Sequence, residues 1–283
     1  MRIKAPAKIN AYLRVIRKRI DGYHEIETIF LPLKTLADTV TLMDSKDGKL
    51  SVTCSVPSLS GPDNLCHKAA TAFAKSAKIR PSWKIHIRKN IPVAAGLGGG
   101  SSDAAAVLKL LRKKYPQMIS ETEIMKLASE IGADVPFFLN PVPSLATGIG
   151  EKLKPLDMKC EIPFVIVFPK FPVSAKWAYQ NRIRTGNKIK SGEMISALKQ
   201  NDLRKISSLI RNDLSPALWK KFPILCTLRD ALLKSGALGV EVSGSGSSLF
   251  AIAKSAKSAE KIAMDMDKRF GDSIICHATV AGA

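Results

Sequence analysis

The spacing of hydrophobic residues changes along the chain, which predicts a mixture of strands and helices. Residues 83–89 alternate between apolar and polar, as in a strand that buries one face. Residues 65–73 instead repeat their apolar positions at the spacing of one helix face. Strand-like and helix-like stretches come mixed rather than in strict alternation. The pattern therefore predicts an α+β fold rather than a doubly wound sheet.

The same two periods predict the other elements and a division of the chain. The predicted strands are Asp38 to Asp44, Trp83 to Lys89, Phe164 to Phe168, Ser248 to Ala253 and Ile274 to Val280. The predicted helices begin at Asp63 and Ser102, run from the capping pattern at Ser120 to Gly132, and cover Ala217 to Leu233 and Ala256 to Phe270. Lys, Pro and Asp interrupt the apolar pattern near 151–163. This interruption predicts two domains, 1–152 and 153–283.

Composition favours a folded protein of the cytoplasm. Of the 283 residues, 46% are hydrophobic and 24% charged, so the chain has enough apolar surface to fold. No apolar run approaches the roughly 18 residues of a membrane span, and the first residues lack the apolar core of a secretory signal. The chain has an odd number of widely spaced cysteines without a CxxC pair, which argues against a disulfide framework or a zinc site. These are Cys54, Cys66, Cys160, Cys226 and Cys276.

The net charge is high for a chain of this size. Lys and Arg number 44 against 24 Asp and Glu, which gives a formal charge of +20. Nucleic acid, an anionic membrane surface or phosphorylated substrates would each suit such a charge. The charge alone does not choose among them.

A glycine-rich segment at 92–106 lies between a predicted strand and a predicted helix. Four glycines in five positions, 96–100, allow the backbone to approach a ligand closely. Amides at a helix start, together with the helix dipole, stabilise an anion such as phosphate. No Gly-Lys-Ser/Thr ends the segment, and Ser101 stands where a dinucleotide fingerprint has its third glycine. The segment therefore predicts a phosphate-binding loop of another type, with a tight strand–helix turn as the alternative.

Together with other segments, this loop resembles the second motif of the GHMP kinases. The supporting segments are Pro6 to Asn10, Asp21 to Glu25, Gly132 to Phe138 and Gly239 to Ser248. In this order they are similar to the GHMP kinases that phosphorylate a cytidylyl sugar alcohol in non-mevalonate isoprenoid synthesis. The resemblance implies a two-domain fold, with a ribosomal-protein-S5-like, ATP-binding N-terminal domain and a ferredoxin-like C-terminal domain.

The resemblance also implies a reaction and its catalytic residues. The γ-phosphoryl group of ATP would move to the 2-hydroxyl of the methylerythritol moiety of the diphosphocytidyl substrate. Such a hydroxyl needs a base and fixed positive charge. Asp134 matches the base, Lys8 the cation beside it, and Asn10 a second substrate contact. Taken alone, an Asp after Gly-Ala is more often a turn residue or helix cap, and a lysine on a strand is normally solvated.

For the cytidine end, Tyr23 and Tyr179 match the aromatic pair around cytosine, and His24 matches the residue that reads the edge of the base. Ala175 departs from the family, which usually has threonine there, so the match of Tyr179 depends on this segment. Ser174 is the nearby hydroxyl, but on an extended segment it faces the other side. A core tyrosine and a hydrogen-bonded loop histidine remain the alternatives.

The remaining implied contacts belong to ATP and to the substrate phosphates. The ATP contacts are Asn64, Lys89, Pro92, Ala95, Gly96, Leu97, Gly98, Gly99, Gly100, Ser101 and Ser102. A loop near the C-terminus is expected to bind substrate phosphates through its amides, at Ser243, Gly244, Ser245 and Gly246. Mg²⁺ is expected with ATP, without a dedicated metal site in the protein.

Two alternatives to this function stay open. One is another GHMP kinase, of the homoserine or mevalonate type, although the Tyr23–His24 pair argues against it. The other is a basic RNA-binding protein without kinase activity, which the charge permits. Aromatic residues make up only 6% of the chain, and no aromatic RNA-binding signature is present. We therefore expect a cytoplasmic enzyme that acts on small molecules, with neither a nucleic-acid nor a membrane partner.

Overall fold

A computed structural model describes residues 1–158, 161–184, 186 and 189–282. Its strands are β1 (Arg2–Lys18), β2 (His24–Asp44), β3 (Ser51–Cys54), β4 (Trp83–Arg88), β5 (Ser144–Thr147), β6 (Lys152–Pro155), β7 (Glu161–Phe168), β8 (Arg211–Asn212), β9 (Gly239–Val242), β10 (Leu249–Ile252) and β11 (Ile275–Gly282). Its α-helices are α1 (Leu65–Ala77), α2 (Gly99–Lys114), α3 (Glu121–Ile131), α4 (Val135–Leu139), α5 (Ala175–Gln180), α6 (Ser191–Gln200), α7 (Leu203–Leu209), α8 (Ser215–Lys221), α9 (Pro223–Lys234) and α10 (Ala256–Phe270). The mixed order confirms the predicted α+β class.

The chain forms two compact units. Unit 1 consists of residues 1–7, 36–91 and 98–141, and unit 2 of residues 8–35, 92–97 and 142–283. Both β1 and β2 contribute residues to both units. Each unit is made of several separate segments, so the units do not test a single boundary along the chain. The predicted domains, 1–152 and 153–283, stay a prediction.

Unit 1 packs helices on one face of a small sheet. Strand β4 pairs antiparallel with the last part of β2 and parallel with β3. Trp83, Ile85 and Ile87 of β4 are buried while the residues between them are exposed, as their alternation predicts. Helix α2 packs against α1 and α4, and its alanines are buried. Small side chains allow the close approach of α2 to its neighbours.

Unit 2 contains a sheet in the order β2, β11, β7, β10, β9. Strand β7 pairs antiparallel with both β10 and β11, so it lies inside the sheet. This position explains why residues 162–168 are buried on both faces. Helix α10 packs on β7 and β11. The short strand β8 pairs parallel with β1, with Leu13 opposite Asn212.

The helix boundaries agree with the local signals except in three places. Helix α3 begins after Ser120, whose Oγ accepts a hydrogen bond from the amide of Glu123 at 3.1 Å, and ends at Gly132 as predicted. The single helix predicted over 217–233 is wrong, because α8 ends at Lys221 and α9 begins at Pro223. Proline lacks the amide that would continue the first helix. The other two differences are the starts of α1, two residues later than predicted, and of α2, three residues earlier.

Candidate active site

The glycine-rich segment adopts backbone conformations that favour glycine. Gly96 and Gly98 have φ angles of 78° and 73°. Gly98 is the N-cap of α2 and has no side chain to bond the first amides of the helix. The amides of residues 99–101 therefore have no acceptor inside the helix and point out of its positive end. This uncapped end of α2 is suited to bind a phosphate group.

Three charged side chains lie buried beneath this segment in unit 1. Lys89 Nζ donates to Asp103 Oδ2 at 2.8 Å and also to Asp38 Oδ2. The other oxygen of Asp38 accepts from the amides of Asn90 and Ile91 at 2.6 and 2.8 Å. We call Asp38, Lys89 and Asp103 the loop-base cluster. It ties the residues that precede the glycine-rich segment to the start of the helix α2.

The loop-base cluster holds two carboxylates against one ammonium group. Burial, helped by the charge of Asp38 and opposed by Lys89, raises the pKa of Asp103 to about 7. Burial on its own would lower the pKa of Lys89, but the two carboxylates outweigh it and raise that pKa. Lys89 is therefore a cation at neutral pH, whereas Asp103 holds its proton more strongly than a carboxyl group in water does.

Two polar atoms beside this cluster are buried without a protein partner. They are Ser102 Oγ and Asp103 Oδ1, both near the start of α2. Both are oxygens, the ligand type that Mg²⁺ prefers. Among the described residues, no group of three or more His, Cys, Asp or Glu side chains is placed to hold a metal ion. Two protein oxygens suit an ion whose other ligands are water and phosphate oxygens. They do not suit an ion that is coordinated by protein alone.

Asn64 and Lys89, two of the predicted ATP contacts, already have protein partners in unit 1. Asn64 Oδ1 caps α1 by accepting from the amide of Cys66 at 2.8 Å, and its Nδ2 donates to Leu59 O at 2.6 Å. The ammonium group of Lys89 is bonded within the loop-base cluster. Their roles in ATP binding stay predictions.

Lys8 lies in unit 2, on β1, and its side chain is only 4% exposed. Lys8 Nζ donates to Asn10 Oδ1 at 2.6 Å and to Gly96 O at 3.4 Å, and it lies 5.1 Å from the centroid of the Phe30 ring. Asn10 Nδ2 in turn donates to Thr28 Oγ1 at 2.8 Å. These bonds hold the lysine side chain in one direction, so it is not the solvated lysine of the alternative interpretation.

The loop at 243–248 meets the glycine-rich segment and β1 inside unit 2. Ser243 Oγ donates to Gly96 O at 2.9 Å and accepts from the amide of Asn10 at 3.4 Å. A β-carbon on Gly96 would lie 2.0 Å from Ser243 O. A β-carbon on Gly244 would lie 3.0 Å from Asn10 Oδ1 and 3.7 Å from Lys8 Nζ. Only glycine fits where these backbones approach.

The rest of the predicted phosphate-binding segments also have defined positions. The carbonyl of Ala95 accepts from the amide of Ser248 at 3.1 Å, and that of Leu97 from the amide of Lys8 at 3.0 Å. In the 243–248 loop, Ser245 is half-buried while its neighbours on both sides are buried. Ser245 is therefore the residue through which this loop reaches its surface.

Asp134 lies in unit 1, at the residue before α4. Its backbone is in the helical region, and its side chain does not cap the helix. The four residues that follow it, 135–138, are all buried. The half-buried carboxylate is therefore attached to a well-held backbone, as the sequence predicts for a residue between Gly132 and Pro136.

At the predicted cytidine end, His24 and Tyr179 lie together in unit 2. Their ring centroids are 5.1 Å apart and their planes differ by 26°, so the rings are stacked. Burial, with Arg182 and Lys18 nearby, lowers the pKa of His24. A neutral imidazole both donates and accepts hydrogen bonds, as the reader of a pyrimidine edge must. The Tyr23 ring is 60% exposed and free to approach a ligand.

The segment before Tyr179 differs from the sequence expectation. Residues 175–180 form helix α5, so the assumption of an extended segment is wrong. Ser174 Oγ caps this helix by accepting from the amide of Trp177 at 3.3 Å. The helix places Tyr179 one turn beyond Ala175. Ser174 therefore serves as the cap of α5. This structural role is independent of the hydroxyl that is missing at Ala175.

Two family models match the chain. The GHMP kinases N terminal domain matches residues 64–140, and the GHMP kinases C terminal model matches residues 194–272. The first match includes the glycine-rich segment, the loop-base residues Lys89 and Asp103, and Asp134. The second includes the 243–248 loop.

Two relatives make the assignment finer. The chain is 37% identical to the 4-diphosphocytidyl-2-C-methyl-D-erythritol kinase of Geobacter sp. (strain M21), over 96% of both chains. It is 40% identical to the enzyme of that name from Shouchella clausii, over 88% of this chain and 84% of the other. The chain belongs to the family of 4-diphosphocytidyl-2-C-methyl-D-erythritol kinases.

Solved structures agree with this family. A crystal structure of 4-(cytidine 5'-diphospho)-2C-methyl-D-erythritol kinase matches with a TM-score of 0.85 and 33% identity, over the full length of both chains. A homoserine kinase from Cytophaga hutchinsonii matches with a TM-score of 0.76, but at 20% identity this shows the fold alone. The predicted GHMP kinase fold and the predicted class of small-molecule kinase are confirmed.

Sequence reasoning missed several residues that support the site of this 4-diphosphocytidyl-2-C-methyl-D-erythritol kinase family member. Asp38 has a weak signal, since it is an acidic residue at the start of a predicted strand. Thr28 and Asn212 have none, because their partners are distant along the chain.

Among the described residues, no helix is both long and apolar enough to cross a membrane.

Proposed function

We propose that this chain transfers the γ-phosphoryl group of ATP to the 2-hydroxyl of 4-diphosphocytidyl-2-C-methyl-D-erythritol. The observation that carries the proposal is the 37% identity over 96% of both chains with an enzyme of that name. The product belongs to the non-mevalonate synthesis of isoprenoid precursors. The geometry of the two units supplies a reason for each part of the reaction.

The uncapped end of α2 is the proposed binding site for the ATP phosphates. Its free amides and helix dipole stabilise negative charge, and Gly98 leaves room for the phosphate to approach them. The loop-base cluster keeps this end in place, because Lys89 joins the segments before and after the loop. Backbone groups of the 92–102 segment therefore do most of the binding.

Mg²⁺ would be held beside the same end of α2. The buried and unpartnered oxygens of Ser102 and Asp103 fit a hard cation, with ATP phosphates and water completing its shell. When bound, Mg²⁺ neutralises charge on the phosphates and helps to orient them. Asp103 is available for this only through Oδ1, since Oδ2 is bonded to Lys89.

Asp134 and Lys8 are the proposed catalytic residues. Asp134 would take the proton of the substrate hydroxyl, and its rigid mount before α4 suits a base that must be positioned. Lys8 supplies fixed positive charge, and its bonds to Asn10 and Gly96 mean that little side-chain freedom is lost on binding. Asn10 would contact the substrate through the same arrangement.

Recognition of the cytidine end is proposed for Tyr23, His24 and Tyr179. Tyr179 offers a ring face, and neutral His24 offers a donor and an acceptor for the edge of the base. The stacked pair also implies a small rearrangement, because cytosine and His24 cannot occupy the same face of Tyr179. The exposed Tyr23 would close over the base from the other side.

The cytoplasm is the proposed location. Cys54, Cys66, Cys226 and Cys276 are free thiols, and Cys160 lies outside the described residues. Free thiols in such number are maintained in reducing compartments.

The function is tested by a coupled ADP-release assay with the cytidylyl substrate, ATP and Mg²⁺. We expect turnover that depends on all three, and a new phosphomonoester signal in the ³¹P NMR spectrum of the product. Homoserine and mevalonate, supplied in place of the cytidylyl substrate, should give no ADP above background. Turnover with either of these and none with the cytidylyl substrate would contradict the proposal. Salt-sensitive RNA binding without any ATP turnover would replace it with the nucleic-acid alternative.

A further inference from the structure

Asn212 is a buried residue of unit 2 that holds the 243–248 loop from below. Its Nδ2 donates to Val242 O at 2.9 Å and to Gly244 O at 2.7 Å. Its Oδ1 accepts from the amide of Leu214 at 2.9 Å. One donor of the side-chain amide is therefore used on the loop and the other on the last residue of β9, and the acceptor fixes which way the amide faces.

The bond to Gly244 O determines the direction of the next amide. The Gly244–Ser245 peptide bond is trans, so its carbonyl and its N–H point in opposite directions. With Gly244 O held by Asn212, the amide of Ser245 points away from Asn212. Among the hydrogen bonds of the described residues, none has the Ser245 amide as donor. An oriented N–H without a protein acceptor is thus left at the half-buried residue of the loop.

The same peptide lies against the Lys8 side chain. A β-carbon on Gly244 would be 3.3 Å from Gly96 O and 3.7 Å from Lys8 Nζ. Asn212 itself is placed by the parallel pairing of β8 with β1, the strand that carries Lys8 and Asn10. One strand therefore positions both the ammonium group and, through Asn212, the backbone amide beside it.

We propose that Asn212 is a positioning residue, which orients the Ser245 amide to bind a phosphate oxygen of the phosphoryl acceptor. This inference rests on the proposed function, because it requires a substrate that carries a diphosphate. Asn212 touches no substrate in this proposal. It acts by keeping one peptide plane in a single orientation, so that the donor is in place before the substrate arrives.

The test is Asn212→Asp, which keeps the shape of the side chain and its acceptor for Leu214. A carboxylate cannot donate to Gly244 O or Val242 O, and it repels both carbonyls. We expect the KM for the cytidylyl substrate to rise about tenfold or more, the scale of a lost hydrogen bond to a charged group. The KM for ATP should change by less than about twofold, since the ATP loop keeps its own supports.

Asn201→Asp is the matched control, because it makes the same chemical change at an exposed helix C-cap of unit 2. It should leave both KM values unchanged. A purely structural role for Asn212 would lower the melting temperature and the active fraction of the Asn212→Asp enzyme while both KM values stay normal. That result would overturn the inference.

Asn212→Ser removes the two donors without adding charge, and it replaces Asn212→Asp if that enzyme does not fold. In addition, the ¹⁵N-labelled wild-type enzyme reports on the amide directly. The Ser245 amide signal should shift on titration with the cytidylyl substrate, and an unshifted signal would contradict the proposal. Absence of turnover by the wild-type enzyme would instead count against the proposed function, so the two failures are distinguishable.

Discussion

His24 stacks on Tyr179, with ring centroids 5.1 Å apart. Replacement of His24 by alanine should therefore affect the pyrimidine end of the substrate and little else. We expect the KM for the cytidylyl substrate to rise about tenfold, the cost of a lost hydrogen bond in a site built for it. The KM for ATP should stay within about twofold of wild type in the ADP-release assay. His86→Ala, at an exposed histidine of β4, is the control. Equal losses for the two substrates would remove His24 from base recognition.

Asp134→Asn tests the proposed base. The amide has the size of the carboxylate but cannot take a proton, so we expect turnover to fall by roughly 10²–10⁴-fold. ATP binding, measured by calorimetry, should persist, because the uncapped end of α2 is unchanged. Asp265→Asn, an exposed residue of α10, controls for the loss of one negative charge. Near-normal turnover of Asp134→Asn would show that another group takes the proton.

Gly96→Ala and Gly236→Ala separate close backbone contact from conformational strain. Both glycines have positive φ, 78° and 102°, so alanine is strained at each. A β-carbon at Gly96 would lie 2.0 Å from Ser243 O, whereas at Gly236 it would meet nothing within 4 Å. Gly236→Ala should keep its activity and lose about 1 kcal/mol of unfolding free energy. Gly96→Ala should lose most of its activity, and comparable activity of the two variants would show that the contact is dispensable.

Lys89→Met tests the loop-base cluster. The change leaves two buried carboxylates without their cation, so we expect a loss of about 3–5 kcal/mol in the free energy of unfolding. Urea unfolding measures this loss. Lys84→Met, on the strand β4 that precedes Lys89, changes a half-exposed lysine 3.9 Å from Asp47 and should cost less than about 1 kcal/mol. If the two variants are equally stable, the cluster does not hold the loop.

Glu241→Gln should change how stability depends on pH. Burial raises the pKa of Glu241 from 4.5 to about 7, although hydrogen bonds from Ser215 and the Val242 amide oppose the shift. A carboxyl whose pKa is raised by folding stabilises the fold below its unfolded pKa, and this contribution is lost as the pH rises through 7. The wild-type free energy of unfolding should thus fall by on the order of 1–3 kcal/mol between pH 4.5 and 7.5. This range allows for solvent screening of the charge at this half-buried group.

Glutamine does not ionise, and its Oε1 can accept the same two hydrogen bonds. The free energy of unfolding of Glu241→Gln should therefore increase relative to that of the wild type as the pH rises. Urea unfolding at pH 5 and pH 8 measures this difference. Glu260→Gln, an exposed residue of α10, should follow the wild-type curve. Parallel curves for Glu241→Gln and the wild type would mean that Glu241 does not titrate in this range.

Local signals predicted much of the secondary structure. The capping pattern at Ser120 and the glycine at 132 gave both ends of α3, and the alternation at 83–89 gave β4 and its buried face. These features depend on residues within one turn or one strand. The break between α8 and α9 was also local, at Pro223, but the continuous apolar spacing across it outweighed that signal in the prediction.

The predicted site could be only partly derived from the residues themselves. The glycine-rich segment indicated a phosphate loop through its composition, whereas the roles of Lys8, Asp134 and His24 came from the family resemblance. The supports of the site were out of reach for a physical reason. Asp38 lies 51 residues from Lys89, and Asn212 lies 32 residues from Gly244, so nothing local marks either pair.

The pairing of β2 with β11 has a consequence for synthesis of the chain. Leu33 lies opposite Ala281, so β2 finds one of its partners only after the long intervening segment has been synthesised. Until then the apolar edge of β2 is exposed on the ribosome, and contacts over such separations form slowly. We therefore expect nascent chains of this enzyme to depend on chaperone protection, and deletion of the β11 residues to reduce the soluble yield.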